Sequence, residues 1–296
     1  MKSSEIAGFL EKEVIGPDID VTSFSSLSRI ENNSVVFAKL YTATTADLLN
    51  KSKALALVGS SFEGKLRCSY IIVDNPRLSF IRVVQHFFPV TDIPHCIHET
   101  AIIEQGAAIG DNVIIGAHCF IGSNVSIGNK SVIMPNVSIF GRVIIGENCY
   151  IKSGTVIGGP GFGFEYDENG VPIQFPHTGR VIIGNNVYVG ANTTIDRATI
   201  DDTIIENNVK IDNNVLIGHN CHIKENVIIV GGCVLCGGVQ VEANAWIAPN
   251  SSIHQKLKVG KKSKVGMGSV VLTNVRDETT VFGVPATKLV IGHKKK

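Results

Sequence analysis

The stretch AIIEQGAAIGDNVIIGAHCFIG, residues 101–122, carries an isoleucine at every sixth position, beginning with Ile103. The spacing continues without a miss through ten isoleucines and then resumes twice further along the chain. In total, 25 hexads carry a large aliphatic residue at the same position, over residues 103–157, 183–195 and 205–271. A sustained period of six is typical of parallel β-helices, in which short strands alternate with tight corners.

A second set of smaller side chains lies two residues before the large ones. Successive residues of a strand alternate between its faces, so residues two apart point the same way. Both sets are therefore expected to fill one narrow interior. The smaller set comprises Ala101, Ala107, Val113, Cys119, Val125, Ser131, Val137, Val143, Cys149, Cys221, Val227, Cys233, Ala245 and Ser251.

Glycine often follows the large residue, and asparagine is common near the predicted corners. Both residues tolerate a positive φ angle, which tight corners between short strands require. Three hexads close one triangular coil, so the sequence predicts a parallel β-helix of about eight coils between residues 98 and 275. The glycines are Gly110, Gly116, Gly122, Gly128, Gly146, Gly184, Gly190, Gly218, Gly260 and Gly266, and the asparagines are Asn112, Asn124, Asn136, Asn148, Asn186, Asn208, Asn214 and Asn226.

Two insertions interrupt this repeat. The first gap, from Ile157 to Ile183, is 26 residues long and the second, around DRATIDDT, is ten, where the repeat requires six. Insertions add nothing to the core of a solenoid, so loops expelled from the coils are where function is expected. The glycine-rich segment 159–180 contains neither a Walker nor a Rossmann motif. We expect it to close over a substrate, or to be a surface flap with Phe162 and Phe164 packed on the β-helix.

Residues 1–97 lack the period of six and are expected to form a small α/β domain. SEIAGFLEKEV has helical spacing, ALALVG and SYIIVD are typical of short strands, and Asp74-Asn75-Pro76 is expected to open an amphipathic helix. After the repeat, residues 276–296 are too few for another domain and are expected to form a short C-terminal tail. The predicted class is mainly β, a β-helix with a small N-terminal domain.

Composition excludes several classes of partner. Lys and Arg number 27 against 26 Asp and Glu, so no overall field favours nucleic acid or an anionic membrane. The N-terminus has no sustained apolar run, and no stretch of about 18 apolar residues occurs. We therefore expect a cytoplasmic protein with neither a signal peptide nor a transmembrane segment. The seven cysteines suggest neither a disulfide framework nor a thiolate zinc site.

The segment NNVLIGHNCHIKENV, residues 213–227, holds three candidates for chemistry: His219, Cys221 and His222. Cys221 occupies the small inward position and is expected to be a buried apolar residue. Both histidines are expected to point outward. A zinc site needs at least three convergent ligands, and no third partner is evident, so no metal is predicted. We interpret His222 as a surface residue.

His219 is also a candidate general base. Acyl transfer from a thioester to an amine needs a base that removes a proton as the nitrogen attacks, and neutral imidazole has a suitable pKa. A carboxylate that orients the imidazole and a donor for the oxyanion complete such a site. Asp212, seven residues upstream and also outward, is the candidate carboxylate. These residues alone leave open whether His219 is catalytic or a surface residue.

Four motifs occur in a specific order: GFGFEY (161–166), TTIDRATIDDT (193–203), IDNN (211–214) and IGHN (217–220). Together with EIAGFL, ALALV and VDNPRLSFIRVVQHFFP in the N-terminal region, they resemble the UDP-3-O-acylglucosamine N-acyltransferase family of lipid A (lipopolysaccharide) biosynthesis. The resemblance covers nearly the whole chain. It implies a left-handed β-helix, a homotrimer with active sites between neighbouring β-helices, and acyl transfer from acyl carrier protein to a UDP-linked amino sugar.

The resemblance also implies roles for individual residues. His219 is the implied general base, Asp212 the residue that orients it, and the backbone N–H of Gly237 an oxyanion donor. In this family, aromatic residues of the N-terminal domain grip the uridine, although core packing explains Phe37 equally well. The residues predicted to contact substrate are Phe37, Tyr41, Asn213, Asn220, Phe162, Phe164, His254 and Lys256.

Two departures from the family keep alternatives open. A second active-site histidine, expected some 37 residues after the base, falls at Lys256, with His254 two positions away. The C-terminal helical extension of the family is missing after FGVPATKLV, and this ending resembles CoA-dependent sugar acetyltransferases. Lys258, Lys261 and Lys262 either line solvated corners or hold the phosphates of CoA or an acidic helix of a carrier protein.

The leading hypothesis is therefore N-acyl transfer from an acyl-phosphopantetheine thioester on acyl carrier protein to a UDP-linked amino sugar, with no permanently bound cofactor. The alternative enzyme is a CoA-dependent nucleotide-sugar N-acetyltransferase for surface polysaccharide. A binding or scaffold β-helix without catalysis is the alternative from another class, although the outward threonine ladders of ice-binding solenoids are absent. The sequence fixes neither the acyl length nor the amino sugar.

Overall fold

Residues 1–89 and 96–288 are described in the computed structural model. Contacts divide the chain into two units, residues 1–93 and 94–296. Ile97 already pairs in parallel with Ile115 of the second unit, so the predicted boundary after residue 97 is slightly too late. The parts of the predicted domains that fall at residues 90–95 and 289–296 lie outside the described residues.

The N-terminal unit is a parallel sheet of four strands that lie side by side in chain order. Leu55–Val58 is buried at every position, which is typical of a parallel strand covered on both faces. At the third helix, the side chain of Asn75 accepts a hydrogen bond from the backbone N–H of Leu78, and Pro76 begins the helix. The strands are Ser23–Phe24, Ser34–Ala38, Leu55–Val58 and Tyr70–Ile72, and the helices are Ser3–Phe9, Ala43–Asn50, the 3₁₀ helix Ser60–Phe62 and Pro76–Phe87.

The second unit is a parallel β-helix of three sheets. The ten-stranded sheet contains Ile114–Ile115, Val132–Ile133, Tyr150–Ile151, Tyr188–Val189, Lys210–Ile211, Ile228–Ile229, Trp246–Ile247, Lys264–Val265, Thr280–Phe282 and the antiparallel Thr287–Lys288. The nine-stranded sheet contains Ile102–Ile103, Phe120–Ile121, Ser138–Ile139, Val156–Pro160, Thr194–Arg197, Leu216–Ile217, Val234–Leu235, Ser252–Ile253 and Val270–Val271. The eight-stranded sheet contains Ala108–Ile109, Val125–Ile127, Arg142–Ile145, Arg180–Ile183, Asp202–Ile205, His222–Ile223, Gln240–Val241 and Lys258–Val259.

Each strand pairs in parallel with its counterpart one coil further along. Ile115 pairs with Ile133, and Ile133 pairs with Ile151. Three hexads therefore make one coil, and the described residues form eight complete coils, which confirms the predicted β-helix. The predicted tail begins as part of this unit, because Thr280–Phe282 pairs in parallel with Lys264–Val265.

The interior of the β-helix is filled by the two predicted columns of side chains. The hexad residues from Ile121 to Val265 are each no more than 1% exposed. Cys119, Cys149 and Cys233 occupy the small position and are equally buried, so the prediction that they are core residues is confirmed. A fully buried aliphatic side chain contributes about 1.5–3 kcal/mol. The columns therefore form a continuous core along the coils.

The corners require asparagine and glycine for two different reasons. Seven of the eight predicted asparagines adopt the left-handed conformation, with φ of 57° at Asn214, and Asn124 is the exception. The glycines after the large residues do not, so the predicted reason for them is wrong. A Cβ on Gly116 would lie 2.5 Å from the nitrogen of Pro135, and one on Gly128 would lie 2.6 Å from the carbonyl carbon of Gly146. These glycines allow adjacent coils to approach closely.

The longer insertion leaves the β-helix after Val156–Pro160 and returns at Arg180–Ile183. Within it, Phe164–Tyr166 and Pro172–Gln174 pair as an antiparallel hairpin, and all six of these residues are exposed. The core of the coils does not change across this insertion, because Arg142–Ile145 pairs directly with Arg180–Ile183. The hairpin is thus expelled from the solenoid, as the sequence predicts.

The alternation along Arg142–Ile145 predicts very different effects for two neighbouring isoleucines. Ile145 is 1% exposed and Ile144 is 42% exposed. We expect Ile145→Ala to lower the free energy of unfolding by about 2–5 kcal/mol, because it leaves a cavity in the column. Ile144→Ala, the matched control, should change it by less than about 1 kcal/mol. Urea unfolding followed by fluorescence of Trp246, the single tryptophan, measures both, and equal effects would contradict the assignment of faces.

Candidate functional site

His219 lies at a corner of the β-helix that follows the strands of the nine-stranded sheet. Its own strand ends at Ile217, which pairs with Ile195 of the preceding coil. Asp196, the next residue of that strand, is close enough to His219 for their charges to interact. On the other side the imidazole lies against Gly237, where a Cβ would be only 2.6 Å from Nε2. Stacking of adjacent coils therefore fixes the position of this imidazole.

Hydrogen bonds determine which nitrogen of His219 carries the proton. Nδ1 lies 2.8 Å from Oδ1 of Asn220. That oxygen also accepts from the backbone N–H and the hydroxyl of Thr199, at 3.2 Å each. An amide oxygen that accepts a backbone N–H cannot donate, so Nδ1 of His219 is the donor. Nε2 of the neutral ring therefore holds the lone pair and is the atom that can act as a base.

A cavity of about 770 Å³ opens beside the imidazole of His219. The insertion supplies one wall through residues 162–166 and Phe175, and Thr199 and Lys256 lie on the β-helix side. Phe162 and Phe164 both line this cavity, with ring centroids 4.9 Å apart. One wall is aromatic and the other polar, so the cavity suits a chain that has both apolar and amide segments.

Arg197 fastens both ends of the insertion to the β-helix. Its Nε donates to the carbonyl oxygen of His177 at 2.8 Å, and its Nη1 donates to the carbonyl oxygen of Gly158 at 3.2 Å. The insertion consequently lies against the imidazole. A Cβ on Gly161 would be 2.8 Å from both Cβ and Cδ2 of His219, so only glycine fits there without displacement.

His177, in the insertion, is a neighbour of His219 that sequence reasoning did not identify. Its side chain is 5% exposed, and its ring centroid lies 5.0 Å from that of His219 with the planes at 79°. Nδ1 lies 2.8 Å from the carbonyl oxygen of Phe175, to which it must donate. The insertion was a predicted functional segment, but it lies outside the repeat that separates inward from outward residues.

Asp196 is a second missed residue at this corner. It belongs to Thr194–Arg197 and pairs with Gly159 at the start of the insertion. Burial raises the pKa of its carboxyl from 3.8 to about 6, and the nearby His219 opposes part of this rise. A perturbed carboxyl beside a candidate base is typical of functional sites. The sequence signal was its place in TTIDRATIDDT.

Asp212 does not orient His219 within the chain, so this prediction is corrected. Asp212 follows Lys210–Ile211 of the ten-stranded sheet, whereas His219 follows a strand of the nine-stranded sheet. The two residues therefore occupy different corners. Oδ2 of Asp212 accepts a hydrogen bond from the backbone N–H of Gly231 at 3.1 Å. The contact that orients His219 belongs to Asn220.

Of three further residues predicted to contact substrate, only one lines the cavity. Lys256 lines the cavity and occupies a corner position, with φ of 59°. Asn213 has a different use, because its Oδ1 accepts from the backbone N–H of Ala191 at 2.7 Å and from Nζ of Lys152 at 3.2 Å. His254 precedes the cavity residues Gln255 and Lys256 in the chain but does not line the cavity. It is exposed, and its backbone N–H donates to the carbonyl oxygen of Val271. Lys256, rather than His254, thus accompanies His219.

Two of the three predicted phosphate-binding lysines form surface ion pairs. Nζ of Lys258 lies 2.9 Å from Oε1 of Glu242, and this carboxylate raises the pKa of the lysine. Nζ of Lys262 lies 3.7 Å from Oε1 of Glu278. Lys261 is exposed. All three point to solvent, which favours the interpretation as solvated corners.

Phe37 and Tyr41 belong to the N-terminal unit and have different surroundings. Phe37 packs against Phe80, with ring centroids 5.0 Å apart. Tyr41 is 37% exposed, meets Phe62 edge-on at 5.3 Å, and has Nζ of Lys65 4.5 Å from its ring centroid. Core packing therefore accounts for Phe37, whereas the ring of Tyr41 is accessible to a ligand.

The remaining candidates have structural surroundings. Cys221 is fully buried, and burial raises the pKa of its thiol to about 12. Nε2 of His222 lies 2.7 Å from Oε1 of Glu206 at the surface. Cys233 and Cys236 have CxxC spacing, but Cys233 lies in the interior and Cys236 at a corner, and both are free thiols.

Within residues 1–89 and 96–288, no three metal-ligating side chains converge, and no helix has the length and apolar character to cross a membrane.

The hexads of the β-helix match two family models of hexapeptide repeats. The family model for the bacterial transferase hexapeptide (six repeats) matches residues 124–159 and 202–237. The model for the hexapeptide repeat of succinyl-transferase matches residues 106–140 and 180–219. The solved UDP-N-acetylglucosamine acyltransferase of Francisella novicida is 31% identical, with a TM-score of 0.61 over 66% of this chain and 70% of that one. The UDP-N-acetylglucosamine O-acyltransferase of Moraxella catarrhalis is 27% identical, with a TM-score of 0.59 over 65% and 73%.

Relatives named UDP-3-O-acylglucosamine N-acyltransferase share sequence with most of the chain. That of Campylobacter lari is 41% identical over 229 residues, 71% of this chain and 69% of the relative. One from Legionella pneumophila is 38% identical over 225 residues, 70% of this chain and 63% of the relative. The chain belongs to the UDP-3-O-acylglucosamine N-acyltransferase family. It spans about half the length of the Coxiella burnetii relatives, which are 32% identical over 181 residues, 53% of their length.

The raised pKa of Asp196 predicts how its replacement affects stability. Its contribution to stability is complete below the unfolded pKa near 3.8 and is lost as pH rises through about 6, because the buried carboxyl must then ionise. We expect Asp196→Asn to raise the free energy of unfolding at pH 8 by about 1 kcal/mol, after allowance for partial exposure, and to change it little at pH 4.

Urea unfolding at the two pH values, followed by fluorescence of Trp246, measures this difference. Asp212→Asn, at an exposed corner, is the matched control. A stabilisation of the same size at pH 4 and pH 8 would show that burial of the Asp196 carboxylate does not oppose folding.

Proposed function

We propose that the protein transfers an acyl group from a phosphopantetheine thioester to the amine of a UDP-linked amino sugar, as the names of its relatives suggest. The observation that carries this proposal is the unprotonated Nε2 of His219 beside a cavity, held by the hydrogen bond from Nδ1 to Asn220. Such a nitrogen is suited to remove a proton from an attacking amine.

The proposed reaction needs one base and one oxyanion donor. Nε2 of His219 takes a proton from the amine as its nitrogen attacks the thioester carbonyl carbon. The backbone N–H of Gly237 then donates to the oxygen that becomes negative. When the carbon–sulfur bond breaks, His219 returns the proton to the leaving sulfur, so the products are an amide and a free thiol.

The surroundings of Gly237 support its role as the oxyanion donor. Its α-carbon lies against Nε2 of His219, since a Cβ there would be 2.6 Å away. Its carbonyl oxygen accepts from the backbone N–H of Lys256, but its own N–H donates to no backbone acceptor in the described part of the chain. A backbone donor beside the base is thus available to a ligand.

The cavity supports a phosphopantetheine donor. Phe162 and Phe164 offer an apolar wall for an acyl chain, and Thr199 and Lys256 offer polar partners for pantetheine amides or the acceptor sugar. Acyl carrier protein is our proposed donor, because it is the donor of the family that the sequence resembles. Tyr41, with its accessible ring, is the proposed contact for uridine.

We also propose a homotrimer, with the ten-stranded sheet contributing to its interface. One outward column of this sheet is largely apolar and aromatic, which is unusual for a solvated face. Tyr150 and Tyr188 stack within it, with ring centroids 5.5 Å apart and planes at 6°, and Trp246 is 43% exposed. Burial of this column by a second copy of the chain would remove apolar surface from water.

Replacement of the proposed base tests the mechanism. We expect His219→Ala to fold normally and to lower kcat by about 10²–10⁴, which is the usual contribution of a general base. His222→Ala is the matched control, because His222 lies three residues away and pairs with Glu206 at the surface. Steady-state acyl transfer by both variants measures the difference. Wild-type turnover in His219→Ala would remove His219 from the mechanism and favour a β-helix that only binds.

The donor and acceptor are tested by direct assay. We expect turnover when the protein is incubated with a UDP-3-acylated glucosamine and hydroxyacyl carrier protein, with formation of the amide followed by mass spectrometry. The parallel incubation contains acetyl-CoA and UDP-amino sugars. Turnover with acetyl-CoA alone would overturn the proposed donor and favour the CoA-dependent N-acetyltransferase, and no turnover in either would favour a binding protein.

A further inference from the structure

His177 carries a buried nitrogen that its own surroundings leave without a partner. Its Nδ1 donates to the carbonyl oxygen of Phe175, so Nε2 of the neutral ring holds a lone pair. That Nε2 is buried and has no hydrogen-bond partner among the described residues. A buried polar atom without a partner opposes folding, so it calls for a functional explanation.

The unpartnered nitrogen lies close to His219. A Cβ on Gly161 would be 3.0 Å from Nε2 of His177 and 2.8 Å from Cδ2 of His219, so the two imidazoles meet across the α-carbon of this glycine. The rings are 5.0 Å apart and nearly perpendicular. They form no hydrogen bond with each other, since neither Nδ1 is available and Nε2 of His219 lies against Gly237.

We propose that His177 is a positioning residue whose Nε2 lone pair stabilises the imidazolium that His219 forms during proton transfer, an inference that rests on the proposed function. Protonation spreads positive charge over the whole ring of His219, including its C–H edge. While His219 is neutral, no positive charge attracts the partial negative charge on Nε2 of His177. When His219 takes up the proton, its imidazolium ring supplies that positive charge. The interaction is therefore stronger in the charged state than in the resting state, which is the condition for lowering the barrier.

Other charged groups face this corner and must be compared with His177. Asp196 and Arg197 reach it from the preceding coil, Lys256 from two coils further on, and Glu165 from the insertion. The guanidinium of Arg197 donates to the carbonyl oxygens of Gly158 and His177, so its position does not depend on whether His219 is protonated. None of these groups donates a hydrogen bond to Nε2 of His177.

Two replacements separate the lone pair from the packing of the ring. His177→Phe keeps a planar ring and removes the acceptor, whereas His177→Gln places an amide oxygen near the position of Nε2. Without the acceptor the imidazolium is less stable, so the pKa of His219 must fall. We expect the acid limb of kcat/KM to move to lower pH by about half a unit or more in His177→Phe, with kcat lowered on the order of tenfold and KM unchanged. His177→Gln should restore most of both.

A direct titration makes the test independent of turnover. Nitrogen NMR of the full-length protein reports the pKa of His219 in the wild type and both variants, and circular dichroism checks folding. His177→Met replaces the phenylalanine variant if that one does not fold. An unchanged pKa of His219 in the variants without an acceptor, or equal losses in the Phe and Gln variants, would overturn the inference. Absence of acyl transfer by the wild type would instead overturn the proposed function, and the titration would still decide the role of His177.

Discussion

The fold depends on the narrow interior of the coils, which admits one large and one small side chain from each hexad. Isoleucines from Ile121 onward are stacked in this space with almost no exposure. A coil cannot accept extra residues without disrupting pairing on both sides, because each strand is paired with the coils before and after it. The 26-residue gap therefore has to leave the solenoid as a hairpin, and the pairing of Arg142–Ile145 with Arg180–Ile183 closes the coil beneath it.

The same stacking prepares the corner for chemistry. His219 and Asn220 follow a strand of one coil, and Thr199 lies in the short interruption after a strand of the preceding coil, so their hydrogen bonds join two coils at this corner. Arg197 then ties the insertion to this corner through two backbone carbonyls. A site held in this way does not need to reorganise when charge develops, which is the main advantage of preorganised polar groups. Both ends of the insertion are therefore tied to the β-helix.

The sequence predicts the coils, the buried columns and the outward position of His219, because all of these follow from a period of six. It does not predict which outward residues meet, since residues one hexad apart lie on different sheets and residues one coil apart are neighbours. The predicted contact between Asp212 and His219 was wrong for this reason, and Asn220, the next residue after His219, holds the imidazole instead. His177 lies in the insertion, where no period assigns a direction to its side chain. The role of Gly116 and Gly128 depends on contacts between coils, which composition does not reveal.

The orientation of the proposed base by an amide has a consequence for charge. Oδ1 of Asn220 fixes the tautomer of His219, but a neutral amide cannot compensate the positive charge that proton transfer creates. Compensation must come from other groups at the corner. Asp196 can provide it once ionised, and burial raises its pKa to about 6, so it is mostly ionised at neutral pH. It lies on the coil side, whereas Nε2 of His177 approaches from the insertion. Orientation is thus the task of Asn220, and charge stabilisation falls to Asp196 on the coil and, under our proposal, to His177 in the insertion.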